Sequence, residues 1–307
     1  MPNIINCLKR PEYVLRPRQI LSRLRRMISS VPETETVALP WGSPIKARLR
    51  DHIGNEIIWH GIFDKIVPET IARLLDPGET ALDIGANIGQ NASMMATASG
   101  RFGKVIAFEP HPDVFAELQQ NVARWTDHWL APIDIRQVAL GDRTGTTLLF
   151  EGDDFSYNRG SATLTKPPNG GKPHETPIER LDDCLQDDQR IGLGKLDVEG
   201  GEPAVLKGAL NTLKRKGIRD LIYEDFAEQP SSLAKQLKEA SFTLFALEQG
   251  WSKPFIHPME NDWIPPKAFS FNFLATLDPD RAIHRFQSRG WLSLKSTAYW
   301  LRRHRKS

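Results

Sequence analysis

The amino-acid sequence predicts an α/β fold with a doubly wound, mostly parallel sheet of seven strands flanked by helices. Apolar, strand-like runs alternate with amphipathic, helix-like runs from position 80 onward, a pattern typical of that architecture. The first two strand-like runs also have an acidic residue at their carboxyl ends, Asp83 and Glu109. The strand-like runs are 80–84, 104–108, 133–138, 193–198, 219–224, 242–247 and 270–276, and the helix-like runs are 88–98, 112–124, 202–214 and 231–240.

Upstream of this alternation the pattern is less regular. Residues 17–30 place arginines between apolar residues at helical spacing, which predicts a basic amphipathic helix. Residues 31–59 read as short strands broken by proline and glycine. Residues 67–75 predict a further helix with Pro68 near its start.

Composition and charge indicate a globular protein with two basic ends. The chain is 40% hydrophobic and 25% charged, and its net charge of +2 does not favour bulk attraction to a polyanion. The first thirty residues nevertheless carry seven lysines and arginines against one acid, Glu12, and the last residues are basic too. These ends suit either peripheral contact with a membrane surface or polyanion, or solvated and partly mobile termini.

The cysteine content and the hydropathy pattern favour a reducing compartment. Cys7 and Cys184 are the only two cysteines, too few for a disulfide framework. No apolar run approaches the roughly 20 residues of a membrane span, and the amino terminus lacks the apolar core of a signal peptide. We therefore expect a cytoplasmic protein.

The residues that follow the first two strands predict a nucleoside site. Asp83 and Gly85 fall where the first strand ends, and glycine there allows a ligand to approach the backbone closely. The next helix would direct its positive end at the same place. Glu109, which follows the second strand, suits two ribose hydroxyls.

The residues within and just after the glycine turn indicate which kind of nucleotide ligand the site could bind. A dinucleotide fingerprint that begins at Gly85 needs glycine at position 87, where this chain has Asn87. A phosphate-binding loop needs lysine after Gly89, where this chain has Gln90. Two acids without a phosphate loop therefore favour S-adenosylmethionine over a dinucleotide.

These residues resemble the FkbM-type S-adenosylmethionine-dependent methyltransferases. The shared motifs are Leu82-Asp-Ile-Gly-Ala-Asn-Ile-Gly89, Ala107-Phe-Glu-Pro-His-Pro112, Val138-Ala-Leu-Gly-Asp142 and Lys195-Leu-Asp-Val-Glu-Gly-Gly-Glu202. The resemblance spans residues 60–277. It divides the chain into an extension at 1–59, a methyltransferase domain at 60–277 and a basic tail at 278–307.

The resemblance implies a role for each matching residue. The turn that binds the methionine end would comprise Asp83, Gly85, Asn87 and Gly89. Glu109 would hold the ribose, and Ala139 and Asp142 would flank the adenine. Asn158 and Ser161 match the variable region that faces the methyl acceptor in the family.

Three acids near the ends of later strands are the catalytic candidates. Asp197 ends the fourth parallel strand, Glu199 lies just beyond it, and Glu224 ends the fifth. Asp197 and Glu224 could bind the acceptor or accept its proton, since a positioned base contributes about 10²–10⁴-fold. Glu199 could contact the substrate, or it could simply lie at a helix start, as we expect of Glu202.

Two further expectations concern metals and the region after the third strand. The cysteines are isolated and the histidines are scattered along the chain, so we expect no metal site, although clustered carboxylates also suit Mg²⁺. Residues 146–150 and 161–165 predict an extra hairpin. Residues 151–176 predict an exposed loop or lid.

The resemblance thus implies an O-methyltransferase acting on a hydroxyl of a carbohydrate or a similar polar metabolite, with a small molecule or a glycan as the acceptor. A nucleic-acid methyltransferase that uses the basic ends is an alternative. Many base-methylating enzymes, however, carry an Asn/Asp-Pro-Pro-Tyr/Phe motif after the fourth strand, where this chain has Asp197-Val-Glu-Gly200. A scaffold that binds the cofactor without turnover is a second alternative.

Overall fold

The computed structural model describes residues 32–259 and 269–305. The basic helix predicted at 17–30 lies outside these residues. None of the helices in the two described ranges combines the length and apolar composition that crossing a bilayer requires.

The first described elements pack on the rest of the domain. They are strand β1 (Thr34–Ala38), strand β2 (Pro44–Arg48) and helix α1 (His52–His60). The buried Trp41 lies in the main hydrophobic cluster, and its indole Nε1 donates a hydrogen bond to Ser93 Oγ at 3.0 Å. Helix α1 is absent from the sequence prediction because Gly54 looked like a break. A Cβ at Gly54 would lie 2.2 Å from the Arg48 carbonyl oxygen, so glycine permits this close packing.

The central region alternates strands and helices as predicted. Its first half comprises α2 (Ile66–Leu74), β3 (Thr80–Ile84), α3 (Gln90–Ser99), β4 (Lys104–Phe108), α4 (Pro112–Val122), β5 (Ile133–Arg136), β6 (Ala139–Leu140), β7 (Gly145–Glu151) and β8 (Lys172–Glu179). Its second half comprises α5 (Leu181–Cys184), β9 (Ile191–Leu196), α6 (Glu202–Lys207), α7 (Leu210–Lys214), β10 (Ile218–Glu224), α8 (Ser232–Glu239), β11 (Thr243–Gln249), β12 (Pro254–Pro258) and β13 (Phe269–Thr276).

The main sheet confirms the predicted fold class but has one strand more than predicted. Eight strands lie in the order β12-β11-β13-β10-β9-β3-β4-β5. The five strands from β10 to β5 are mutually parallel, whereas β13 is antiparallel to both of its neighbours. The additional strand, β12, begins and ends with proline, a pattern that predicts a loop. Among the described strands it pairs only with β11, at the sheet edge.

Both faces of this sheet are covered, and the strand order reverses next to β3. Ala81 and Val105 belong to one hydrophobic cluster, while their neighbours Leu82 and Ile106 belong to a second one. The chain passes from β3 outward to β4 and β5, and later returns to place β9 on the other side of β3. The carboxyl ends of β3 and β9 therefore form the crevice where such sheets bind ligands.

The region after β5 forms a three-stranded side sheet and not the predicted hairpin. Strand β7 confirms the first half of that prediction, but its partner is β8, so the order is β6-β8-β7. The second predicted half, 161–165, contributes only an isolated bridge between Thr163 and Phe150. Strand β8 was missed because Pro173 and Pro177 favour a loop reading.

The segment predicted as a basic tail forms two helices that pack on the domain. They are α9 (Pro279–Gln287) and α10 (Thr297–His304). Trp291 and Trp300 are buried in the main hydrophobic cluster. Asp76 accepts hydrogen bonds from Arg281 at 2.6 Å and Arg285 at 2.9 Å, so part of the basic charge is neutralised by the domain.

Candidate active site

A cavity of about 350 Å³ opens at the carboxyl ends of β3, β4, β9 and β10. Its volume lies within the range typical of small-molecule sites. Of the residues predicted to form the site, those in the cavity wall are Gly85, Asn87, Glu109, Ala139, Asn158, Asp197, Glu199 and Glu224. The cavity therefore brings the predicted ribose acid and all three catalytic candidates to one place.

The turn after β3 is tightly constrained by its neighbours. Gly85 has a positive φ of 82°, and its amide donates a hydrogen bond to the Phe108 carbonyl oxygen at 3.0 Å. A Cβ at this position would lie 1.8 Å from the Asp197 carbonyl oxygen. Glycine is thus required both for the backbone conformation and for the close approach of the two strand ends.

We expect Gly85→Ala to reduce the free energy of unfolding by about 2–5 kcal/mol, because left-handed strain and a backbone clash add together. Gly78 is the matched control, since it has a φ of +85° but no atom within 4 Å of the point that an alanine Cβ would occupy. Gly78→Ala should cost only about 1–2 kcal/mol. Urea denaturation of both variants measures the difference, and equal losses would contradict the close approach.

Glu109 is held at the cavity wall by two backbone amides. Its Oε2 accepts a hydrogen bond from the Asn87 amide at 2.9 Å, and its Oε1 accepts one from the His111 amide at 2.9 Å. Each carboxylate oxygen retains a second lone pair for a ligand hydroxyl. Burial raises the pKa of Glu109 to about 7, although the two amides favour its charged form. This geometry suits bidentate recognition of a ribose.

Lys195 links the buried Asp83 to the cavity. Its Nζ lies 3.1 Å from Asp197 Oδ2 and 3.8 Å from Asp83 Oδ1, and it donates a hydrogen bond to the Gly85 carbonyl oxygen at 2.8 Å. Burial disfavours the lysine charge, but Asp197 and Asp83 outweigh it and raise the pKa of Lys195. Neither carboxylate oxygen of Asp83 has a hydrogen-bond partner among the described residues, and burial raises its pKa to about 6.

The acids at the ends of β9 and β10 share one electrostatic environment. Burial, with the nearby charges of Asp197 and Glu199, raises the pKa of Glu224 to about 8. Burial, with Asp197 and Glu202, raises the pKa of Glu199 to about 7. Glu202 itself closes the turn, since its Oε1 accepts the Val198 amide at 2.9 Å, in agreement with the helix-start reading. The cavity thus favours a bound cation.

Four of the predicted site residues lie outside the cavity wall. Asp83 is fully buried behind Lys195. A Cβ at Gly89 would meet Leu118 and Trp125, so this glycine serves helix packing. Asp142 is exposed beyond the wall. The hydroxyl of Ser161 donates to the Asn158 carbonyl oxygen at 2.7 Å and so shapes the loop from within. The ligand contacts suggested for these four residues by the sequence therefore remain predictions.

The loop after β7 lines the cavity and is anchored to the start of α1 and to α4. The amide of Arg159 donates to Asp51 Oδ1 at 3.0 Å, and its guanidinium pairs with Glu117. The amide of His52 donates to the Tyr157 carbonyl oxygen at 2.6 Å. This part of the predicted lid is therefore fixed at several points, and both Arg159 and His52 reach the cavity wall.

Two residues near the cavity escaped the sequence prediction. Asp64 has a positive φ of 34°, accepts a hydrogen bond from Asn272 Nδ2 at 2.7 Å, and has a pKa raised to about 6 by burial. The side-chain amide of Gln90 holds Phe63 through two hydrogen bonds of 2.7 and 2.9 Å. Gln90 follows Gly89 at the position where a phosphate-binding loop has lysine, and that position was the available signal. Asp64 carried none.

Two histidines that lie far apart in the sequence come close together in the fold. His111 and His174 both direct Nε2 at Glu151, and the three side chains form a group with metal-ligand chemistry. The group was not visible in the sequence because Glu151 and His174 come together only through the pairing of β7 with β8, and His111 reaches them from the loop after β4. This group lies outside the cavity wall.

The raised pKa values predict that the ligand-free protein loses stability as pH rises through about 7 to 8. Glu109, Glu199 and Glu224 bind their protons more tightly when folded than when unfolded. Their stabilisation is therefore complete at low pH and is lost above the folded pKa values. Burial lowers the pKa values of His111 and His304, so the change in their charge affects stability at a lower pH than this range.

Thermal melts across this pH range measure the effect. The Glu224→Gln variant serves as the comparison, since it removes one titrating group and should flatten the slope. A melting temperature that stays level or rises between pH 7 and pH 8 would contradict the burial of these carboxyls.

The fold and the cavity together define an S-adenosylmethionine-dependent methyltransferase. An acid after β4, a glycine turn without a phosphate loop and an acid-rich wall suit a positively charged nucleoside donor. The chain belongs to the family of the methyltransferase FkbM domain, which matches residues 83–248, more than half of its length. S-adenosylmethionine is accordingly its cofactor.

The chain is similar to the following three proteins. The hexuronic acid methyltransferase AglP of Haloferax volcanii is 28% identical over 201 residues, which cover 61% of this chain and 74% of AglP. The 31-O-demethyl-FK506 methyltransferase FkbM of Streptomyces tacrolimicus is 30% identical over 162 residues, or 44% of this chain and 60% of that protein. A solved methyltransferase of Agrobacterium tumefaciens is 11% identical, with a TM-score of 0.43 over 80% of this chain and 70% of that one.

Proposed function

We propose that the protein transfers the methyl group of S-adenosylmethionine to a hydroxyl of a carbohydrate or a similar polar metabolite. The observation that carries this proposal is the position of Glu224, whose carboxyl lies in the cavity wall with Asp197 and Glu199. Asp197 and Glu199 follow β9 and Glu224 ends β10, and the carboxyl ends of both strands border the predicted place of the cofactor.

A hydroxyl acceptor needs a base, and Glu224 has the properties of one. The methyl group leaves a sulfonium that is already activated, so the protein must chiefly align the acceptor and take its proton. A carboxyl with a pKa of about 8 is a stronger base, once ionised, than an ordinary glutamate. The surrounding acids also favour the positive charge of the donor.

Polar and aromatic groups at the acceptor end of the cavity favour a sugar-like substrate. Asn158 and Arg159 offer hydrogen-bond donors in the wall. Phe63 and Phe226 lie in the same wall, and Phe226 is 67% exposed, as suits a face on which a sugar ring packs. The name of one relative specifies a hexuronic acid and that of another an oxygen position, which agrees with this acceptor class.

Methyl-labelled S-adenosylmethionine, offered with a panel of acceptors, tests the proposal. The panel should contain neutral and uronic-acid oligosaccharides, polyol metabolites and duplex nucleic acid. We expect label on a sugar or polyol, in a product that survives mild alkali because it is an ether. A methyl ester hydrolysed by alkali, or label on the nucleic acid alone, would overturn the proposal.

A further inference from the structure

Two histidine rings and one carboxylate converge between the side sheet and the loop that follows β4. His111 Nε2 lies 3.2 Å from Glu151 Oε1, and His174 Nε2 contacts the same oxygen. The three potential ligand atoms lie within 4.8 Å of one another. Bonds of the length that Zn²⁺ forms would place neighbouring ligand atoms about 3–3.5 Å apart, so small side-chain rotations suffice to accommodate an ion.

We propose that His111, Glu151 and His174 form a binding site for one divalent transition-metal ion of the zinc type. Two imidazole nitrogens and one carboxylate oxygen are a donor set that Zn²⁺ and Co²⁺ accept, with a fourth position left for water. Mg²⁺ and Ca²⁺ fit less well because they prefer ligand sets made of oxygen.

The fold holds the three ligands in place without the ion. His111 is fully buried, and its ring packs against Phe155 with centroids 4.5 Å apart. Glu151 and His174 lie on the paired strands β7 and β8, where Glu151 is opposite Lys172 and His174 is two residues further along. Ligands on a rigid scaffold lose little freedom on binding, which favours affinity.

An ion has access to the cluster, and the competing contacts are weak. The side chains of Glu151 and His174 are 15% and 18% exposed, so the cluster is reachable from solvent. The ammonium of Lys172 lies 3.2 Å from Glu151 Oε1, but this side chain is 67% exposed and is free to rotate away. The contact with Glu151 shows that Nε2 is the His111 ring nitrogen directed at the cluster, and the buried Nδ1 has no hydrogen-bond partner among the described residues.

The position of the cluster indicates a structural role for the ion. The backbone amide of His111 donates a hydrogen bond to Glu109, the predicted ribose acid. Glu151 immediately precedes the loop whose residues Asn158 and Arg159 line the cavity. An ion at this point would tie the ribose-binding loop to the acceptor-side loop, while remaining outside the cavity itself.

Calorimetric titration of the untagged full chain with Zn²⁺ tests the site. We expect one equivalent to bind, and affinity to fall at least about tenfold in both His174→Ala and Glu151→Gln, since even the loss of an outer partner of a metal ligand costs that much. His257→Ala is the control, because His257 forms a similar pair with Glu248 at 2.7 Å outside the cluster. It should bind Zn²⁺ as the wild type does.

Thermal melts with and without Zn²⁺ supply a second readout. The ion should raise the melting temperature of the wild type and of His257→Ala but not that of His174→Ala, because only a folded site binds it. Glu151→Gln answers the question if His174→Ala does not fold. Absence of saturable Zn²⁺ binding in the wild type, or wild-type affinity in either cluster variant, would overturn the proposal.

Discussion

Replacing Glu109 with alanine is expected to weaken S-adenosylmethionine binding by about 100-fold or more. The carboxylate faces the cavity and retains lone pairs for two ribose hydroxyls. Hydrogen bonds to a charged group contribute about 1.5–3 kcal/mol each, and a loss of about 3 kcal/mol corresponds to two orders of magnitude in affinity. Calorimetric titration with the cofactor measures this change.

The Glu109 variant needs a control because the same carboxylate also holds the Asn87 and His111 amides. A melt of the variant shows whether the fold survives, and Glu175→Ala, an exposed acid on β8, tests for a general effect of lost charge. Cofactor affinity close to the wild-type value in a folded Glu109→Ala protein would remove Glu109 from the ribose site.

Replacing Glu224 with glutamine is expected to lower the rate of methyl transfer by about 10²–10⁴-fold, the contribution of a positioned general base. Cofactor binding should be largely retained, because glutamine preserves the shape of the side chain. The rate of the wild type should rise with pH and level off above about 8, as the Glu224 carboxyl loses its proton. The variant should lack this rise.

Asp197→Asn is the comparison that separates the two catalytic candidates. Asp197 lies 3.1 Å from Lys195 Nζ, so its charge is already paired, and we expect its replacement to lower turnover while cofactor binding is retained. The pH-dependent rise in rate should persist in this variant. Loss of the rise in Asp197→Asn, with its retention in Glu224→Gln, would transfer the role of base to Asp197.

The sequence predicted the carboxyl edge of the sheet well because the physics there is local. Each acid ends or follows a short apolar strand, and parallel strands bring their carboxyl ends to one edge. Glu109, Asp197 and Glu224 therefore meet in the cavity as the alternation of strands and helices implied. The pattern does not tell how far each side chain lies from the ligand. It therefore could not predict that Asp142 and Asp83 lie outside the cavity wall.

Contacts between distant parts of the chain were beyond the sequence pattern. His52 reaches the cavity from helix α1, which the sequence did not predict because Gly54 suggested a break. The histidine cluster depends on the pairing of β7 with β8, and β8 was not predicted because it contains two prolines. The helices at 279–304 were read as a tail because their charge outweighed the signal of Trp291 and Trp300, which are buried in the core.

A crystal structure with bound S-adenosylhomocysteine tests the assignment of the cavity most directly. We expect both ribose hydroxyls within hydrogen-bond distance of the Glu109 carboxylate and the adenine beside Ala139. The sulfur should face Asp197 and Glu224. A nucleoside bound elsewhere, or a ribose that does not contact Glu109, would contradict the account of this site.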